Sequence, residues 1–156
     1  MIAAEVQFYD VVVWLHITAV VLAFGPTFAY GAFFAAAGQT NPAALPTIGR
    51  VVISWSRIAT RGGIVLILLT GIFLVANYDF WEFSDFFVSW GIVAVLILFG
   101  MSQWYFIPTT ERFVEAAEAG RGEEVQTIAA SQRKVGPIAG ILVILTIYVM
   151  TAQPFL

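Results

Sequence analysis

The sequence contains no cysteine and only one histidine among its 156 residues. Without a thiol, the chain forms no disulfide, no thiolate metal site and no cysteine nucleophile. It also lacks a phosphate-binding glycine loop, an H-E-x-x-H zinc motif and a G-x-S-x-G nucleophile elbow. Since no catalytic set can be recognised and no residue is assigned a catalytic role, the sequence favours a function other than catalysis.

Charged residues are also scarce. They make up 11% of the chain, whereas 60% of the residues are hydrophobic and the mean hydropathy is +0.90. A soluble domain is about one quarter charged, and a soluble fold of this length has too little interior to hide so much apolar surface. The net charge of −3 argues against nucleic acid as a partner, because such binding needs a basic patch. The composition therefore predicts an integral membrane domain whose partner is the lipid bilayer.

Four charge-poor apolar stretches run through the chain, each close to or above the roughly 20 residues that a helix needs to cross a bilayer. We therefore expect a single all-α domain over residues 1–156, an up-down-up-down four-helix transmembrane bundle. A hairpin at 109–134 connects the last two spans. The predicted spans cover residues 8–37, 58–78, 86–108 and 135–154.

The basic residues form two groups, one between the first and second apolar stretches and one between the third and fourth. The N-terminal arm, the middle loop and the C-terminus carry no lysine or arginine. Basic residues that flank membrane spans stay in the cytoplasm. We therefore expect both termini to lie outside the cytoplasm, in the cell membrane, with helices 3 and 4 extended into the cytoplasm. The seven basic residues are Arg50, Arg57, Arg61, Arg112, Arg121, Arg133 and Lys134.

Prolines and glycines predict where the helices break. Pro26, next to Gly25, is expected to kink the first span, because proline removes a backbone hydrogen bond and clashes with the preceding turn. Asn41 followed by Pro42 is typical of a helix start, and the second helix is expected to end near Asn77.

The third span is expected to continue past the membrane as a helix over residues 109–119, followed by a turn at 120–122. A second helix then leads back into the fourth span. Folding this hairpin predicts that Glu111 lies near Arg133 and Lys134, as exposed ion pairs.

His16 is the first candidate for chemistry, because it is the most polar side chain inside the first span. Polar groups avoid lipid, so its face is expected to point into the bundle. His16 could ligate haem b or copper or relay protons, or it could be an interior histidine bonded to a neighbouring helix. Met150, on the last span, is expected at a similar depth. A histidine and a methionine together can bind copper or haem iron, although methionine is also an ordinary packing residue.

Arg57 and Arg61 lie one turn apart on the second helix. They predict a site for an anion or an acidic lipid headgroup on the cytoplasmic side, or they act only as charges that set the topology. Gln103, near the inner end of the third span, is expected to hydrogen-bond between helices.

Gly136 and Gly140 form a small-xxx-small pattern on the fourth span, which allows close helix contact. The pattern favours packing either inside the bundle or against a second copy of the chain. A homo-oligomer through these two glycines is one reading of the sequence.

Three short segments resemble an uncharacterised bacterial family of four-helix integral membrane proteins, at residues 14–16, 69–74 and 148–154. They read Trp14-Leu15-His16, Leu69-Thr70-Gly71-Ile72-Phe73-Leu74 and Tyr148-Val149-Met150-Thr151-Ala152-Gln153-Pro154. The layout is also similar to the copper-resistance D membrane domain and, more distantly, to the HemJ-type protoporphyrinogen oxidase. In those two groups a histidine early in the first span belongs to the functional apparatus, and His16 matches its position.

Two functional hypotheses follow. The first is a non-enzymatic membrane protein, either an oligomeric scaffold or a permease-like protein for a small solute or ion. The second is a redox or metal-handling protein that binds haem or copper through His16.

Overall fold

A computed structural model of the chain describes residues 7–78 and 81–154. The ends of the predicted domain, 1–6 and 155–156, and the loop residues 79–80 lie outside the described part. Seven α-helices are described, joined by one short 3₁₀ turn and two π-helical segments. The α-helices are α1 (Phe8–Phe24), α2 (Thr27–Thr40), α3 (Leu45–Trp55), α4 (Arg61–Asn77), α5 (Phe86–Gly100), α6 (Ile107–Glu118) and α7 (Gly122–Ala152).

These elements join end to end into four long rods, each apolar enough to cross a membrane. At 1.5 Å per residue, a rod of 31–36 residues is about 50 Å long, whereas the hydrocarbon core is about 30 Å thick. Each rod is therefore long enough to span the bilayer and to project beyond it. The all-α four-helix transmembrane fold is confirmed. The rods are Phe8–Thr40, Pro42–Asn77, Phe86–Glu118 and Gly122–Ala152.

The helix breaks lie where proline and glycine predict them. The first rod is interrupted at Gly25 and Pro26, between α1 and α2. The second begins with a 3₁₀ turn, Pro42–Ala44, in which proline takes the first position. Asn41 precedes this turn, but its side chain makes no capping hydrogen bond. The second rod ends at Asn77, as expected.

Two π-helical segments, Ser56–Thr60 and Met101–Phe106, lie in the second and third rods. No sequence signal predicted them. Thr60, at the end of the first segment, is buried, and its hydroxyl donates to the carbonyl of Ala23 at 3.3 Å. The wider π turn thus brings a polar side chain to the backbone just before the break at Pro26.

The bundle has two ends, which we call the charged end and the terminal end. The charged end holds α2, α3, α6 and the first part of α7. The terminal end holds the start of α1, the end of α4, the start of α5 and the end of α7. At the charged end α3 packs along α6, and at the terminal end α1 packs on α4 and α5 packs on α7. Contacts between these two terminal pairs are few, which leaves space between them.

Ion pairs link α3 and the π-helical segment that follows it to α6 at the charged end. Arg57 pairs with Glu111 and Arg50 pairs with Glu118, all with exposed side chains. The predicted pairing of Glu111 with Arg133 and Lys134 is wrong, because the helical phase of α6 turns Glu111 toward α3 rather than toward α7. Exposed pairs of this kind contribute about 0–1 kcal/mol each.

Candidate functional site

The space between the two helix pairs at the terminal end is a cavity of about 320 Å³. This volume lies at the lower end of the roughly 300–1,000 Å³ range of small-molecule pockets. Its lining is mostly aliphatic and aromatic, and His16 and Met150 both belong to it. The central core of the bundle forms its floor, through Phe24, Ile67, Val95, Leu98 and Val143.

His16 is held on one wall, where α1 meets α4. Its Nδ1 lies 2.8 Å from the hydroxyl oxygen of Thr70, and Thr70 is buried. The threonine hydroxyl in turn lies 2.6 Å from the carbonyl oxygen of Leu66, one turn back on α4. A chain of two hydrogen bonds therefore fixes the imidazole against the neighbouring helix.

Gly71 allows the ring of His16 to lie directly on the α4 backbone. A Cβ atom added at Gly71 would lie 3.2 Å from His16 Cε1 and 3.7 Å from Nδ1. This approach is tighter than ordinary van der Waals contact, so a larger residue would push the ring away from Thr70. The pair Thr70-Gly71 therefore sets the position of His16.

Met150 lies on the opposite wall, where α5 meets α7. Its terminal methyl group occupies the space that a Cβ atom at Gly91 would need. On the same wall, the indole Nε1 of Trp90 donates to the hydroxyl of Thr146 at 3.2 Å. The hydroxyl of Thr146 donates to the carbonyl of Leu142 at 2.8 Å. Each wall is thus tied together by one threonine.

Aromatic rings lie over the cavity at the terminal end. Tyr9 makes an edge contact with Tyr78, with ring centroids 4.9 Å apart, and lies 6.4 Å from the ring of Trp81. Trp81 makes a further edge contact with Phe87 at 5.9 Å. Tyr9, Trp81 and Phe87 also line the cavity, so aromatic rings form part of its wall at this end.

The cavity reaches the lipid-facing surface of the bundle. Ile72 on α4 and Ile147 on α7 both line it, yet they are 47% and 50% exposed. The wall is therefore only one side chain thick at these positions. A molecule dissolved in the bilayer needs to displace only flexible aliphatic side chains to enter.

His16 on α1 and Met150 on α7 both line this one cavity. A nitrogen and a thioether sulfur are donor types that copper and haem iron accept. Within the two described ranges, no group of three or more His, Asp or Glu side chains could hold a metal ion. A role for His16 and Met150 as ligands stays a prediction.

Sequence signals are weaker for the residues that position this pair or tie the two walls together. Thr70 and Thr146 are polar residues inside apolar helices, and Gly71 and Gly91 are small residues in spans. These signals are common in membrane helices for packing reasons alone. Only the pairing of helices shows which of them touch His16 and Met150.

Arg57 and Arg61 lie apart from this cavity, at the charged end. Arg57 pairs with Glu111, and Arg61 Nε donates to Gln103 Oε1 at 2.6 Å. The role of Gln103 as an interhelical hydrogen-bonding residue is confirmed. A groove of about 450 Å³ beside Arg57 also contains the carboxylate of Glu115. Acidic neighbours offset the arginine charge there, and the predicted anion or headgroup site stays a prediction.

The two glycines of the fourth span have different surroundings. A Cβ atom at Gly140 would lie 3.4 Å from the ring of Phe28, so this glycine packs inside the bundle. A Cβ atom at Gly136 would have no neighbour within 4 Å. The predicted contact with a second copy thus has room only at Gly136.

The three segments that carry the family resemblance meet around the cavity. Residues 14–16 provide His16, residues 69–74 provide Thr70 and Gly71, and residues 148–154 provide Met150.

No curated protein and no solved structure matches the chain. The likeness to copper-resistance D and HemJ-type proteins therefore stays a prediction. A family model described as "Predicted integral membrane protein (DUF2269)" matches residues 10–154. The chain therefore belongs to the DUF2269 family of integral membrane proteins.

Proposed function

We propose that this protein binds a small apolar molecule in the cavity between its two helix pairs, as a permease-like carrier or receptor that does not alter the molecule chemically. The observation that carries this proposal is the cavity itself. A protein that serves only as a scaffold needs no internal space, because helix interiors normally close by packing.

The volume of the cavity sets the free-energy cost of leaving it empty. Enclosed cavities that stay empty cost about 24 cal/mol per Å³ in a well-studied core, so about 320 Å³ would cost at most about 8 kcal/mol, and less where the cavity opens toward lipid. This is similar to the whole stability of many domains, about 5–15 kcal/mol. An apolar occupant, which restores van der Waals contact with the walls, removes most of this cost.

The position of the charges suggests which side the molecule comes from. By the positive-inside rule, the charged end lies in the cytoplasm. The cavity then faces the outer leaflet, and both termini lie outside the cytoplasm of a cell membrane. The thin walls at Ile72 and Ile147 favour entry from that leaflet.

A photolabelling experiment with a matched pair of variants tests the proposal. Val75 lines the cavity, whereas Val65, on the same helix, faces lipid and is 57% exposed. The purified protein in nanodiscs is labelled with diazirine-bearing decanol, and the labelled residues are identified by mass spectrometry. We expect cavity residues to be labelled, Val75→Phe to lower this labelling several-fold, and Val65→Phe to leave it unchanged. Equal labelling in all three proteins would overturn the proposal.

A second candidate function rests on His16 and Met150, which face the same cavity. Together they would supply one nitrogen and one sulfur ligand to haem iron or copper, and the bound group would supply redox chemistry. The absorption spectrum and metal content of the purified protein decide this question. A Soret band or stoichiometric copper that is lost in His16→Ala would replace the carrier proposal, whereas a colourless, metal-free protein would retire this candidate.

We also propose that two copies of the chain associate through helix contact at Gly136. Its support is the open space at that residue. Chemical crosslinking in native membranes tests it, since Gly136→Leu should abolish the crosslinked dimer if the helices approach there.

A further inference from the structure

The hydrogen bonds around His16 fix which of its two ring nitrogens carries the proton. The hydroxyl of Thr70 lies 2.6 Å from the carbonyl oxygen of Leu66 and 3.2 Å from that of Ile67. Since a carbonyl oxygen only accepts, the single hydroxyl proton of Thr70 is donated to the α4 backbone. The oxygen of Thr70 then accepts a proton from His16 Nδ1 at 2.8 Å.

The opposite wall contains the same arrangement with no ambiguity. There the hydroxyl of Thr146 lies 2.8 Å from the carbonyl of Leu142, and its oxygen lies 3.2 Å from Trp90 Nε1. An indole nitrogen is always a donor, so Thr146 must accept from the neighbouring helix and donate to its own backbone. Thr70 has the same geometry relative to its helix, and His16 Nδ1 occupies the place of the indole nitrogen.

The second ring nitrogen, Nε2, is therefore a hydrogen-bond acceptor. A neutral imidazole has one donor and one acceptor nitrogen, and Nδ1 takes the donor role. The ring also hydrogen-bonds to the backbone carbonyl of Ile67 on α4, which can only accept a proton. In the described ranges the side-chain hydrogen bond of the ring is that of Nδ1 with Thr70, and the ring lines a cavity whose walls are mostly apolar. A donor that the bound molecule brings can satisfy an acceptor in such surroundings.

We propose that the molecule bound in the cavity is an apolar alcohol or phenol, whose hydroxyl donates a hydrogen bond to Nε2 of His16. This inference rests on the carrier function proposed above and adds the chemical class of the ligand. A matching ether, ketone or quinone presents only lone pairs to the lone pair of Nε2. We expect such analogues to bind about ten- to hundredfold more weakly, since the partly buried Nε2 is then left without a donor.

The first test uses competition in the full-length protein in nanodiscs. Unlabelled 1-decanol and its methyl ether compete with diazirine-bearing decanol for labelling of the cavity, and the ratio of their inhibitory concentrations is measured. Wild-type protein should favour the alcohol at least tenfold. If the two compete equally and labelling still falls in Val75→Phe, this inference is overturned and the carrier function stands. If neither competes and no cavity residue is labelled, both are overturned.

Variants of the two threonines show whether the preference comes from the bond to His16. Thr70→Val removes the acceptor for Nδ1, so either nitrogen can carry the proton and the preference for alcohol should fall toward one. Thr70→Ser keeps the hydroxyl and should retain the preference. Thr146→Val removes the equivalent hydroxyl from the opposite wall and should leave the ratio high. An unchanged ratio in Thr70→Val would overturn the proposed role of Thr70.

The second test needs no ligand and no variant. Because His16 is the only histidine, labelling histidine with ¹⁵N gives signals from a single ring. The proposal requires the tautomer with the proton on Nδ1 and a bare Nε2. A spectrum that shows the proton on Nε2 would overturn the proposal directly.

Discussion

Two adjacent glycines at the start of α4 allow one packing contact to be measured almost in isolation. A Cβ atom at Gly63 would lie 2.8 Å from Ala23 Cβ and 3.3 Å from the carbonyl oxygen of Ala19. These atoms are backbone or directly attached to it, so α1 would have to move. A Cβ atom at Gly62 would have no neighbour within 4 Å.

Replacement by alanine gives both sites the same helix-propensity gain, about 1 kcal/mol. Only Gly63→Ala adds overpacking, which typically costs about 1–3 kcal/mol. The difference between the two variants therefore reports the contact between α1 and α4. We expect Gly63→Ala to be less stable than Gly62→Ala by that amount.

Thermal unfolding in a mild detergent measures this difference. For a chain of this size, 1 kcal/mol corresponds to about 3 °C, so the Tm of Gly63→Ala should lie roughly 3–9 °C below that of Gly62→Ala. The comparison is internal, because both variants share the same helix and detergent. Equal Tm values would show that α1 and α4 are not in close contact at Gly63. The placement of His16, which lies on α1, against Thr70 and Gly71 of α4 would then also be wrong.

Three further predictions concern other parts of the molecule. A reporter fused to the C-terminus should be active only outside the cytoplasm, and cytoplasmic activity would mean that the number of spans is wrong. Gly91→Ala should displace the Met150 side chain and lower Tm. In a Met150→Ala background the same change should be neutral or stabilising. A loss of stability in that background would contradict the contact between Gly91 and the Met150 methyl group. A double-mutant cycle of Arg57→Ala and Glu111→Ala should give a coupling of about 0–1 kcal/mol that disappears in high salt, and a larger, salt-insensitive coupling would mean that the pair is buried.

The positions of the helix breaks follow from local chemistry and were predictable. Pro26 has no backbone N–H to donate, and Pro42 suits only the first turn of a helix, whatever surrounds them. The two π-helical segments were not predictable in this way. They insert an extra residue into a turn to suit contacts between rods, such as that of Thr60 with Ala23, and no residue type marks them.

The partners in the ion pairs at the charged end were likewise not predictable from the sequence. The sequence identifies Glu111 as an exposed helical residue, and the hairpin at residues 120–122 brings α7 alongside α6. Which helix Glu111 faces depends on the rotation of α6 about its axis. The packing of α6 on α3 sets that rotation. This packing joins residues more than 50 positions apart in the chain, and it makes Arg57 the partner of Glu111.

The sequence by itself determined that this protein is a four-helix membrane domain, because the cost of placing charge in hydrocarbon acts on each residue independently of the fold. It also singled out His16 and Met150, since few polar or polarizable groups occur at their depth. Only the tertiary structure decided that α1 pairs with α4 and α5 with α7, that a cavity lies between these pairs, and that Thr70 and Gly71 orient the imidazole. Such contacts depend on how side chains of distant segments fit together, and local sequence patterns carry no record of that fit.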